Sequence, residues 1–505
     1  MDAEPRERCL PGTRVDILQN LFTFLIDPNA NDKVIWLRGP AGSGKSTILN
    51  TIAQYSAKLR RCGASLFWDR NDAVNSAPRR VIRTLAYQLA QSNPAFAKEL
   101  VSQIKAFPQI MESPLREQFE TLLQDPLATA AASHDSGPII IILDALDECG
   151  TPKTRERLLD VLSTSLTKLP RTFRVLIASR DEPDIRVALL LLRPPVIIRD
   201  VRIDDESMKS DISHFFQQRL SSDARAFAGR GLPPDWPGDL VRQQLVALSG
   251  GLFIWASTTI RFVESGLPEQ RLKTVLDSVH GQSHDRLDRL YRVALTHPFD
   301  TYNDDELEAV HSILGAISVA CAQLTDEQLS RLLNLGLSTV REVLSRLQPL
   351  LQGGHGKPIQ VLHTSFTDFL CDPTRRQDEL WRINASAHHY NLVAGCLRVM
   401  KQDLKFNICD IETSFCRHQE IQGIRSRIDK AVTPLLMYAS QYWAEHLELG
   451  SIAESESPRL VGELMEFIMD RLLFWVEVFS LKNQMSTISV ILRKATNWAK
   501  ASCFC

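Results

Sequence analysis

The chain has 505 residues, a formal net charge of -2, 44% hydrophobic residues and 23% charged residues. That length exceeds one hydrophobic core and implies roughly three or four domains with the ordinary balance of a folded globular protein. The near-neutral charge excludes a global attraction to nucleic acid or to an anionic membrane.

From the start of the chain, MDAEPRERCLPGTR is polar and begins acidic, so no signal peptide is expected. The longest apolar runs, PIIIILDAL and VALLLLRPPVII, are broken by charge or proline well short of the ~20 residues a spanning helix needs. A soluble, cytoplasmic chain without membrane partners is the expectation. The ten cysteines are scattered without a C-x-x-C pair, the pattern of reduced, mostly buried thiols. Cys409, Cys416 and His418 lie close together, but their spacing matches no common zinc arrangement. Cys503 and Cys505 end the sequence without a prenylation box and are read as free thiols.

Gly39–Ser46 reads GPAGSGKS, a full match to Gly-x-x-x-x-Gly-Lys-Ser/Thr, with Thr47 following. VIWL predicts a strand before it. Ile48, Ile52, Tyr55 and Leu59 recur at spacings of four, three and four and predict one face of a helix after it. That strand–loop–helix context is what the motif requires. The loop of Gly39, Pro40, Ala41, Gly42, Ser43, Gly44, Lys45, Ser46 and Thr47 would wrap a phosphate with its main-chain N–H groups at a helix N-terminus. Lys45 would reach the β- and γ-phosphates, and the Ser46 hydroxyl would ligate Mg²⁺.

The other half of such a site is an acid at the end of a buried parallel strand. Ile139–Leu143 is a continuous apolar run suited to a strand covered on both faces, and Asp144 follows where a Mg²⁺ ligand belongs. Asp147 and Glu148 come one turn later, positioned to orient or deprotonate an attacking water. Their alternative reading is as caps of the helix predicted over TPKTRERLLDVLSTSL. A further strand, FRVLIASR, delivers Arg180 to the edge where open α/β sheets bind ligands; there it can sense a γ-phosphate, or pair with Asp181 or Glu182 on the surface. SLFW (Ser65–Trp68) and PVII (Pro195–Ile198) complete a five-stranded parallel sheet over residues 33–202.

These residues resemble the NACHT class of signal-transducing P-loop NTPases, the STAND group that also contains NOD-like receptors. GPAGSGKST, LDALDEC with small Ala145 after the first acid, and IASR carry the likeness to a nephrocystin-like NACHT core. Cys9–Leu18, Gly251–Val263, Leu287–Tyr291, His363–Leu370 and Tyr438–Leu447 carry a likeness to its fungal subgroup. The resemblance implies a nucleotide-operated switch that binds ATP or ADP with Mg²⁺ and hydrolyses slowly. Its module order places an N-terminal segment at 1–32, the NTPase core at 33–202 and a helical lid at 203–295. A winged-helix domain would follow at 296–380 and a helical domain at 381–505. His363 matches a histidine that touches the β-phosphate of ADP in the family; from position alone it reads as a packing residue. Pro11–Arg14 is expected to border the base through main-chain contacts. The aromatics of YASQYWAEHL and LLFWVEVFSL are read as core.

No repeat of 33, 34 or 42 residues is found, and no effector domain is expected in the eight residues before Cys9. Two other readings therefore stand beside the switch: a remodelling ATPase acting on protein or nucleic acid, and a nucleotide-binding fragment without a signalling role. TRRQDELWR mixes both charges, so a nucleic-acid partner is not expected. Nucleotide is the expected ligand, with protein partners or self-association on activation. ATP is favoured over GTP because no Asn-Lys-x-Asp guanine motif occurs.

Overall fold

The computed structural model describes the chain except for residues 1–6, 71, 73–75, 132–137, 194, 203–204, 279–285, 374–379, 414, 416–419, 451–456 and 503–505. Cys416, His418, Cys503, Cys505 and most of TRRQDELWR thus lie outside the described residues. The chain divides into two compact units, Met1–Val293 and Ala294–Cys505.

The first unit is built on five parallel strands: β1 (Val34–Arg38), β2 (Cys62–Phe67), β3 (Ile139–Asp144), β4 (Phe173–Ser179) and β5 (Ile197–Asp200). Their order is β2-β3-β4-β1-β5. Aliphatic side chains fill the central strands: Ile140, Ile142, Leu143 and Val175–Ala178 have essentially no exposure. Register pairs Ile141 with Val175 and Trp36 with Ile177. This is the expected behaviour of parallel strands covered by helices on both faces. β5 is an edge, and its last residues, Arg199 and Asp200, are exposed charges, which blunt an open ladder.

β2 begins three residues before the predicted SLFW segment and ends at Phe67. Cys62 and Gly63 carry little hydrophobic bulk, so they escape an apolar-run reading. Gly63 is nevertheless required by packing: a Cβ there would lie 2.5 Å from Ile139 Cγ2 and 2.8 Å from Leu89 Cδ2. Trp68, predicted as strand, instead lies just past it and donates its main-chain N–H to the Asp144 carbonyl at 3.2 Å.

The helix Lys45–Lys58 follows β1 and buries Ile48, Leu49, Ile52 and Ala53. Tyr55 and Leu59 share the predicted face but are 50% and 54% exposed, so that face is core in its first turns and open in its last. Tyr55 there meets Phe22 of the Val15–Ile26 helix edge to face, ring centroids 6.3 Å apart. After the sheet come helices Glu206–Arg219, Asp239–Ser249, Phe253–Glu264 and Pro268–Ser278. Their buried stripes include Ile212 and Phe216, Leu245, Trp255 and Phe262, and Val275.

In the second unit, helices Asp304–Val319, Asp326–Leu333 and Leu337–Arg346 precede an antiparallel hairpin, β6 (Leu351–Gly354) and β7 (Lys357–Val361). Buried Asp326 anchors the hairpin turn: its carboxylate accepts from the Gly356 N–H at 2.8 Å and from Arg341 Nε at 2.6 Å. The remaining helices, chiefly Ala385–Asp403, Pro434–Leu449, Leu472–Leu481 and Met485–Ser502, enclose an aromatic core. Trp443, Phe467, Trp475 and Phe479 meet there at ring separations of 4.9–6.4 Å. Among the described residues, no helix is long and apolar enough to cross a membrane. Seven described cysteines carry no disulfide.

Candidate functional site

All five strands point the same way, so β1, β3 and β4 deliver their C-terminal residues to one edge of the sheet, where open α/β sheets bind ligands. From β1 the chain turns through Gly39–Gly44 into the Lys45–Lys58 helix. Gly42 and Gly44 hold φ of 75° and 89°, a left-handed conformation costly for residues with a Cβ. A Cβ on Gly39 would press on Val201, 3.0 Å from its Cβ and 3.1 Å from its carbonyl oxygen. Ser43 closes the loop on itself, its hydroxyl donating to the Pro40 carbonyl at 2.9 Å. Lys45 Nζ donates to the carbonyls of Gly39 and Pro40 at 2.8 and 2.9 Å. Ser46 is exposed in the first helical turn.

Asp144 ends β3 fully buried. Ala145 then takes φ 57° and opens a short turn, Leu146–Glu148. Asp147 and Glu148 do not cap the following helix, Pro152–Ser165; Thr151 does, through a capping box with Thr154. Asp147 reaches across to the end of β4 instead. Its Oδ1 accepts the Arg180 main-chain N–H at 3.1 Å and its Oδ2 pairs with Arg180 Nε at 3.3 Å. Asp181, one of the two surface alternatives for Arg180 besides Glu182, pairs with Arg38 and Arg186 at 3.2 and 2.7 Å. Glu148 accepts the Arg70 main-chain N–H at 3.2 Å.

Electrostatics tie these groups into one site. Burial lowers the Lys45 ammonium from its ordinary range, opposed by the negative charges of Asp147, Asp144 and Glu148; Arg180 adds to the lowering. Burial, with the charges of Asp147 and Asp69, pushes the Glu148 carboxyl up to about 7. A carboxyl near neutrality is suited to accepting a proton in aqueous chemistry.

Two arginine side chains that were given no role in the sequence reading support the site. Arg155, on the Pro152–Ser165 helix and 1% exposed, donates through Nη1 to the Asp147 carbonyl at 2.7 Å, while Nε and Nη2 grip Asp184 at 3.0 and 2.8 Å. Arg14 donates through Nη2 to the Ser43 carbonyl of the loop. Arg14 belongs to the Cys9–Leu18 segment, where a main-chain contact to a base was expected rather than a side-chain bond to the loop. Arg155 belongs to no motif, and its one signal is an arginine in an otherwise apolar helical stripe with Leu158, Leu159 and Leu162.

His363 lies in the second unit, where it caps the Thr364–Cys371 helix. Its Nδ1 accepts the Ser365 N–H at 3.1 Å and contacts the Ser365 hydroxyl at 2.7 Å.

The donor set fits a magnesium nucleotide. The loop offers main-chain amides at a helix N-terminus beside an ammonium. Mg²⁺ needs one or two protein oxygens besides phosphate and water, and Ser46 and Asp144 supply that kind of ligand.

A family model described as the N-terminal region of nephrocystin 3 matches residues 12–180, about a third of the chain, from the turn before the first helix to Arg180. No curated protein matches. Among solved structures, one titled as the Drosophila ORC bound to DNA aligns at 14% identity, covering 73% of this chain and 87% of that chain. Its TM-score of 0.29 makes the likeness too loose to carry an argument. The sheet, the loop and the family match together identify a P-loop NTPase-like α/β fold.

Proposed function

We propose that this chain is a nucleotide-dependent molecular switch of the NACHT type, binding ATP or ADP with Mg²⁺ and hydrolysing ATP slowly. The observation that carries the reading is the convergence of Lys45, Asp144, Asp147, Glu148 and Arg180 on one edge of the sheet, all acting on the Lys45 charge.

In this reading the amides of Gly39–Thr47 and the Lys45 ammonium bind the phosphates, and Ser46 and Asp144 hold the metal. Bound Mg²⁺ supplies charge neutralisation on the phosphate oxygens. Glu148, with its pKa raised to about 7, accepts the proton of the attacking water. Asp147 holds Arg180, whose guanidinium stabilises charge developing on the transferred group. The helices between residues 206 and 278 serve as a lid. The three helices and hairpin of 304–361 serve as a winged-helix module. ADP and ATP can shift such a protein only by binding two conformations with different affinity. The helical and winged-helix assignments, the fungal NOD-like likeness, a signalling role and a cytoplasmic location rest on the sequence resemblance, as does an ADP contact by His363.

Nucleotide content of the purified protein tests the reading. ADP carried through purification, lost in His363→Ala, supports a switch; empty protein with fast turnover sinks it. A titration of ATP against GTP with Lys45→Ala as control decides the base. Removal of the Lys45 charge should weaken binding by roughly 10- to 100-fold or more, the range for charge-assisted hydrogen bonds.

A further inference from the structure

A phosphate nest makes a demand on its own far side. If a loop turns its N–H groups toward an anion, its carbonyls must turn away and find donors elsewhere. In this loop the donors can be named. Lys45 takes the Gly39 and Pro40 carbonyls. The Ile254 main-chain N–H, from the Phe253–Glu264 helix, takes the Gly42 carbonyl at 3.2 Å. Arg14 takes the Ser43 carbonyl.

Arg14 is built into this place. It is 9% exposed and held at φ 59°, ψ 23°, a left-handed conformation that a non-glycine residue keeps only when its surroundings enforce it. Its main-chain N–H donates to Asp211 Oδ2 at 3.1 Å, and its Nε stands 3.9 Å from the same oxygen. Its guanidinium carbon lies 5.0 Å from the centroid of Phe253. Directly above, a Cβ on Gly44 would stand 3.7 Å from Arg14 Nη2. The preceding turn is docked on the Glu206–Arg219 helix as well: Gly12 leaves room for the His214 ring, 3.1 Å from where its Cβ would be. Arg14 thus touches the loop, the Glu206–Arg219 helix through Asp211, and the Phe253–Glu264 helix through Phe253. A planar guanidinium can serve a carbonyl, a carboxylate and an aromatic face at once; an ammonium cannot do so with the same geometry.

We propose that Arg14 is the positioning residue of the phosphate loop, holding its backbone in the amide-forward conformation and coupling that conformation to helices Glu206–Arg219 and Phe253–Glu264. The proposal deepens the nucleotide reading and rests on it for the identity of the ligand. It gives the Pro11–Arg14 segment a side-chain task behind the loop, beyond the main-chain contact to a base expected from the sequence.

The test uses the full chain with Arg14→Gln, Arg14→Lys, Asp211→Asn and Lys45→Ala. Hydrogen exchange of a peptide covering 39–47, measured without nucleotide, should accelerate in Arg14→Gln and less in Arg14→Lys. Dissociation constants for a non-hydrolysable ATP analogue with Mg²⁺ should rise about 10- to 100-fold in Arg14→Gln, the effect of losing a hydrogen bond to a charged group. At saturation kcat should be unchanged, because Arg14 acts on binding and not on the reacting atoms. Nucleotide should slow exchange in residues 206–219 and 253–264 of the wild type; Asp211→Asn should lose the effect in the first helix and keep it in the second. A merely structural role would lower the melting temperature and leave the binding constant of the folded protein alone. Wild-type loop exchange and affinity in folded Arg14→Gln, or in Arg14→Lys if the glutamine variant does not fold, overturns the proposal. Binding by Lys45→Ala equal to wild type would overturn the nucleotide reading instead, and loop exchange without nucleotide would still decide the role of Arg14.

Discussion

Glu148 occupies a place where a carboxylate is hard to keep charged, between burial and the negative charges of Asp147 and Asp69. Its carboxyl is raised from an ordinary 4.5 to about 7, so the base form appears as pH rises through neutrality. ATPase activity should climb about tenfold per pH unit below 7 and level off above it. Glu148→Gln should lower the rate by about 10²–10⁴-fold and flatten that profile; an unchanged profile removes Glu148 from the chemistry. The same shift has a cost in stability with a definite sign. A group whose pKa is higher folded than unfolded supports the fold fully below 4.5 and loses that support as pH rises to about 7. Glu148→Gln should therefore melt above wild type at pH 8, with the gap closing toward pH 5. Asp144, Asp147, Glu148 and Arg180 were legible in the sequence because each lies within a short apolar-then-polar motif. Arg155 was not, and of Arg14 only the segment was, because their carboxylate partners lie 29 and 197 positions away.

The elements themselves were legible where hydrophobicity is continuous. β1, β3 and β4 follow directly from VIWL, IIIIL and FRVLIAS, since buried parallel strands need apolar residues on both faces. β2 was placed late because Gly63 is selected for close approach to Ile139 and Leu89, a reason hydrophobicity does not record. Periodicity found the correct face of the Lys45–Lys58 helix, yet could not tell where the core ends along it. One inter-element device is a ring. Asp147 binds Arg180, its carbonyl binds Arg155, and Arg155 binds Asp184, which is joined to Arg180 through the turn after β4. Arg155→Met keeps much of the side-chain volume and removes the donors. It should destabilise the first unit by about 1–3 kcal/mol, the cost of leaving a buried acceptor unsatisfied. Because the ring positions Asp147 and Arg180 rather than the phosphates, kcat should fall with KM little changed. A fall in KM-dependent binding at constant kcat would contradict this account.

At the scale of the whole molecule the two units carry different buried chemistry. The second unit holds a buried polar chain, two of whose members, Tyr438 and His446, lie in the YASQYWAEHL segment read from the sequence as aromatic core. The Cys321 main-chain N–H donates to the Tyr438 hydroxyl at 3.3 Å, Tyr438 contacts His446 Nε2 at 2.9 Å, and His446 Nδ1 faces His389 Nδ1 at 2.8 Å. Two ring nitrogens at that separation share a single proton, so the pair is stable with at least one imidazole neutral. Burial pushes His446 down to about 3, aided by His389, and His389 down to about 4, aided by His388. Both are depressed from an unfolded value of 6.5, so the unfolded chain binds more protons throughout that window and acid favours unfolding. Stability of the second unit should be level between about pH 7 and 8 and fall below about 6.5, by up to about 1.4 kcal/mol per pH unit for each histidine. Hydrogen exchange of helices Ala385–Asp403 and Pro434–Leu449, followed from pH 7.5 to 5 and corrected for the intrinsic pH dependence of exchange, isolates this unit from the first. His389→Asn keeps a short polar partner for His446 and removes one titrating group, so it should reduce the slope by about one proton. An identical slope in wild type and variant would mean that other groups drive the acid sensitivity of this unit.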